Sequence, residues 1–71
     1  MKLTCKYLKS IIPPRLSGKV YKSGNDVRIN LENECDTLVE YLRDLLRNYG
    51  LVMFRDDLVH LPDDYIVRFK L

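Results

Sequence analysis

One segment of this chain has a periodicity that admits a single structure. Leu38, Tyr41, Leu42, Leu45, Leu46 and Tyr49 recur at steps of three and four residues and draw an apolar stripe. Glu40, Arg43, Asp44 and Arg47 fall on the wet side. Thr37 and Glu40 have capping-box spacing, Asp36 is an equally good N-cap, and Gly50 stands where a helix ends through a left-handed residue. The pattern predicts a helix over Asp36 to Tyr49. It has to cover something, because an amphipathic helix is stable only against a second apolar surface.

The rest of the chain reads as strands that could supply that surface. Met1 to Lys9 alternates, with Leu3, Cys5 and Tyr7 on one side and Lys2, Thr4 and Lys6 on the other, which predicts a half-buried first strand. Ser10 to Gly18 contains Pro13-Pro14, which lack amide donors, and is expected to be a loop with Ile11, Ile12 and Leu16 folded back on the core. Lys19 to Leu31 has Gly24-Asn25 between two strand-like runs and predicts a hairpin. In its second arm Val27, Ile29 and Leu31 face one way, and Arg28 and Asn30 the other. Leu51 to Phe54 is a short apolar strand, Asp56-Asp57 a turn, Leu58 to Leu61 a brief strand, and Pro62-Asp63-Asp64 a second turn. In the last strand Tyr65, Val67, Phe69 and Leu71 oppose Ile66, Arg68 and Lys70. With 71 residues and no linker or repeat, the expectation is one α+β domain over residues 1–71. Its first and last strands are expected to lie parallel at the sheet centre, joined through the single helix.

Three stretches carry a family resemblance. Met1-Lys-Leu-Thr-Cys-Lys-Tyr-Leu8 looks like an opening strand. Val27-Arg-Ile-Asn-Leu31 and then Asp36-Thr-Leu-Val-Glu-Tyr-Leu42 look like a second strand leading into a helix. Leu61-Pro-Asp-Asp-Tyr-Ile-Val-Arg-Phe69 looks like an acidic turn into a closing strand. Together they resemble the ubiquitin-like β-grasp family, and within it the small sulfur carriers and modifiers of the ThiS and MoaD type. The resemblance implies a mixed sheet packed on a single helix. It departs from the family at the end: those proteins close on Gly-Gly, whereas this sequence runs Phe69-Lys70-Leu71, with no glycine after Gly50. Only glycine gives a tail thin enough to thread into an activating enzyme. The resemblance therefore implies a relative that works by binding, or a sulfur carrier or modifier whose diglycine tail is missing.

The residue types argue against catalysis. His60 is the one histidine, and a lone histidine on a short strand is more often a surface residue than a base. Cys5 shares an apolar face, which should bury its thiol and make it inert, and Cys35 is flanked by Glu34 and Asp36. Two cysteines and one histidine fall short of a tetrahedral metal site, so no metal or cofactor is expected. Asp56-Asp57 and Asp63-Asp64 are neighbours that a strand would send to opposite faces, and turn chemistry explains both. Ser17-Gly18-Lys19 and Ser23-Gly24-Asn25 lack the glycines and the following helix of a phosphate loop.

Charge offers the better signal. Residues 1–28 hold seven bases and one acid, and residues 29–71 hold five bases and nine acids. If the terminal strands are neighbours, Lys2, Lys6, Arg68 and Lys70 converge, with Arg28 beside them, on a basic sheet face without an interleaved acid or exposed aromatics. The function expected is a non-enzymatic interaction module that binds an acidic protein partner there. The alternatives are a nucleic-acid-binding protein using the same bases and a plain solvated face that blocks edge pairing. No apolar run is long enough to span a bilayer and the N-terminus does not resemble a signal peptide, so no membrane partner and a cytoplasmic location are expected.

Overall fold

The structure, a computed structural model, describes residues 2–55 and 64–70. Within them the chain is a small α+β unit. The order is helix α1 (Cys5–Ile11), helix α2 (Pro14–Ser17), strands β1 (Val20–Ser23) and β2 (Asp26–Asn30), helix α3 (Asp36–Asn48), and strands β3 (Leu51–Arg55) and β4 (Asp64–Phe69). The four strands form one sheet in the order β1-β2-β4-β3, and all three pairings are antiparallel.

The first strand of the sequence reading is a helix. Thr4 sits extended at the N-cap, and its side chain accepts a hydrogen bond from the Tyr7 amide at 3.1 Å. Leu8, Ile12 and Leu16, four residues apart, are all buried. Ile12 is extended at ψ 161° because it precedes a proline, and α1 stops there. Pro14 then opens α2 at its first position, where a missing amide costs nothing, so the proline pair separates two helices rather than excluding them.

This replaces the parallel pairing of terminal strands expected for a β-grasp sheet. Residues 5–11 approach β4 through side chains instead, with the Tyr7 and Phe69 rings 6.1 Å apart. β4 pairs with β2 at Val27↔Val67 and with β3 at Met53↔Val67. The core is closed by three helices rather than one. Val20, Val27, Ile29, Leu51, Met53 and Val67 from the sheet form one buried cluster with Leu8 and Leu16 from α1 and α2 and with Val39, Leu42 and Leu46 from α3.

Other expectations match what is observed. The β1–β2 hairpin turns through Gly24-Asn25, with Gly24 at φ 60° as a two-residue turn with glycine first demands. α3 ends at Gly50, φ 72°. Its N-cap is Cys35 without a side-chain cap bond, so neither proposed capping residue fills that role. The Asp56-Asp57 turn, the Leu58 to Leu61 strand, His60, and Pro62 and Asp63 of the second turn lie outside the described residues. Asp64 belongs to the strand rather than to a turn.

Leu42 is fully buried on α3, whereas Leu45 is half-buried at the margin of the stripe. Leu42→Ala is expected to cost about 2–5 kcal/mol by urea unfolding. Leu45→Ala should cost clearly less. Equal losses would displace the core-facing side of the helix.

Candidate functional site

Side chains that alternate with the core residues occupy the other side of the sheet, over which no helix lies among the described residues. Register makes this face explicit. Tyr21 stands opposite Arg28, Arg28 opposite Ile66, and Ile66 opposite Phe54; Val52 stands opposite Arg68.

One end of the face is a closed polar cluster. Asp64 is 0% exposed and accepts hydrogen bonds from the Tyr21 hydroxyl and, at 2.6 Å, from Asn30 Nδ2. A buried carboxylate is tolerated only when its lone pairs are satisfied. Three strands contribute here, so the cluster fastens β1 and β2 to β4. Burial raises the Tyr21 pKa, and the hydrogen bond and negative charge of Asp64 raise it further, while Arg28 opposes them. Each oxygen of the Asp64 carboxylate thus accepts one bond from a different strand, and the cluster ties the strands together. Among the described residues no group of three or more His, Cys, Asp or Glu side chains is placed to hold a metal ion.

The five bases expected on the sheet face are only partly gathered. Arg68 Nη2 lies 3.1 Å from Asp26 Oδ1, and Arg28 Nη2 lies 3.9 Å from Asp26 Oδ2. An acid is thus interleaved between the two arginines, contrary to expectation, because the hairpin brings Asp26 onto the same face two residues before Arg28. Lys2 and Arg68 line one open cleft with Asp26 and Phe69. Arg68 and Lys70 line another with Val52, Phe54 and Phe69. Lys6 belongs to α1, in the helical layer, because its segment is not a strand. The overall charge split also dissolves in space: Arg15 and Lys19 pair with Glu34 at 2.8 and 3.5 Å.

Sequence reasoning missed an apolar strip beside these bases. Val52 and Ile66 are half-buried and Phe54 is 50% exposed, all on the uncovered face. Alternation alone carries the signal, since Phe54 is out of phase with Leu51 and Met53. The face therefore does hold an exposed aromatic.

No family model, no curated protein and no solved structure matches the chain. Among the described residues no helix is long and apolar enough to cross a membrane.

Two measurements check the local chemistry. A Tyr21 pKa raised in the fold means the neutral phenol is favoured there, so its stabilisation is complete below the unfolded value, about 10, and is lost as pH rises through the folded value. Unfolding followed from pH 9 to 12 should show that alkaline loss, and Tyr21→Phe should reduce it while costing about 1–3 kcal/mol at neutral pH. An unchanged alkaline slope would remove Tyr21 from the cluster. Second, Cys35 is exposed and Cys5 half-buried. Timed alkylation read by mass spectrometry should modify Cys35 first; the reverse order would misplace α1.

Proposed function

We propose that this chain is a non-catalytic binding module that docks an acidic protein partner on the sheet face its helices leave uncovered. The observation that supports this best is the juxtaposition on that face. An exposed phenylalanine and two half-buried aliphatics form a strip, with Arg68 and Lys70 at its border. An apolar centre with a cationic rim is the composition of a protein-binding surface. Arg68 is the central base, since it shares one cleft with Lys2 and the other with Lys70. Arg28 backs it through their common Asp26, and Lys6 has no part in the reading. The free thiols at Cys5 and Cys35 accord with a reducing cytoplasm. The ubiquitin-like resemblance adds no weight, because the stretch read as its opening strand contains helix α1.

Nucleic-acid binding is the second reading, favoured by one feature, the exposed Phe54 ring on which a base could stack. The interleaved Asp26 weighs against it, because a carboxylate repels a phosphate track.

A labelled acidic peptide containing leucine and phenylalanine, and a single-stranded oligonucleotide of equal charge, separate the two by fluorescence anisotropy across a salt series. The peptide should bind more tightly, with a shallow salt slope. Arg68→Glu should weaken it about tenfold, roughly 1.4 kcal/mol. The melting temperature should barely move, since an exposed charge contributes little to stability. Tighter binding of the oligonucleotide with a steep salt slope would establish the second reading. Indifference of the peptide to Arg68→Glu would refute the first.

A further inference from the structure

We infer that two copies of this chain associate through the outer edge of β3, forming a continuous sheet with their α3 helices side by side. The inference does not rest on the partner-binding face.

Among the described residues β3 has a neighbour on one side only, β4. Its sequence, Leu-Val-Met-Phe-Arg, has strong strand propensity, no proline and one charge. Edge strands are usually blunted by lysine, proline or a bulge, because an open row of amides and carbonyls accepts another strand. The opposite edge, β1, carries Lys22 in its second half, whereas β3 has no charge before its last residue.

Symmetry then decides what can sit there. A two-fold axis normal to the sheet makes β3 antiparallel to its copy and α3 antiparallel to its copy on the same side. α3 lies over β3, the strand at the edge, so joining two edges brings the two helices together. Arg43 and Arg47 line the groove between α3 and Leu51, Val52 and Met53, with Lys70 at its side, so this flank of the helix faces the edge strand. Asp36 and Glu40 share the flank at helical spacing, and all four side chains are exposed.

Along α3 the flank reads acid, acid, base, base. Turned antiparallel against itself, it sets Asp36 against Arg47 of the other copy and Glu40 against Arg43. The stripe is self-complementary about a point between Glu40 and Arg43. The strand has its own centre at Met53, where the same axis would place Val52 of one copy opposite Phe54 of the other. These two centres lie within one helical turn of each other in height. Leu51 follows the last turn of α3 directly, and two strand residues climb about 6.6 Å, the rise of roughly four helix residues. Met53 therefore stands level with about residue 44. An acidic peptide on this edge would meet Asp36 and Glu40 as well as the two arginines, so a second copy fits the charge pattern better.

Sedimentation of the full chain tests this with two single variants at exposed mid-helix positions, Glu40→Arg and Arg43→Glu. The wild type should dimerise with a Kd below about 100 μM. Each variant alone sets like charges against each other across the axis and should dimerise about tenfold more weakly. An equimolar mixture of the two restores every opposite-charge pair and should recover wild-type association. Val52→Lys, which places a charge on the edge strand without touching α3, should abolish association in all combinations. Thermal melting of each variant checks that it remains folded. A wild type that stays monomeric at about 1 mM overturns the inference. So does a dimer that ignores Val52→Lys, or a mixture that associates no better than its components.

Discussion

The buried apolar residues of the sheet all leave it on one side. Val27, Ile29, Leu51, Met53 and Val67 project toward the helices, and that single apolar face obliges α1, α2 and α3 to share one layer. Strand order follows the same constraint. β4 carries Tyr65, Val67 and Phe69 in phase with the buried residues of both its neighbours, so it gains most from a place between β2 and β3. With every helix among the described residues committed to one side, the other side carries the polar cluster and the half-exposed side chains.

On that other side the two ends have different energetic characters. At one end the buried Asp64 is satisfied by two donors from separate strands, which favours one register, since a slip would leave a carboxylate buried without partners. At the other end Arg68 is exposed and its partner Asp26 half-buried. The Arg68–Asp26 contact contributes little to stability there, because the arginine is exposed. The buried polar cluster and the exposed arginine are thus different parts of one surface.

How much of this was legible in the sequence depended on the range of the forces involved. α3, the β1–β2 hairpin and the phase of β4 were readable because each is written in a local period or a turn residue. Residues 2–11 were not, because a short run can satisfy two periods at once. Leu3, Cys5 and Tyr7 alternate, yet Cys5, Leu8 and Ile12 also keep helical spacing, and the Thr4 cap with burial of Leu8 settles the choice. That single misreading removed Lys6 from the sheet face and the terminal pairing with it. Arg68 kept its predicted face because alternation along β4 is local, whereas Lys70, just past the strand, lines clefts both with Phe54 and Arg68 and with Arg43 and Arg47 of α3. Asp26 between two arginines, and Asp64 between Tyr21 and Asn30, are cross-strand relations, visible only once register is known.

The central claim is that β4 lies antiparallel between β2 and β3 while the N-terminal segment is helical. Backbone nuclear Overhauser contacts in the labelled protein test it most directly. The account predicts cross-strand contacts linking Val27 with Val67 and Met53 with Val67, together with successive amide–amide contacts over residues 5–11. Strand-type backbone contacts between residues 2–8 and β4, with no helical pattern in that segment, would contradict it.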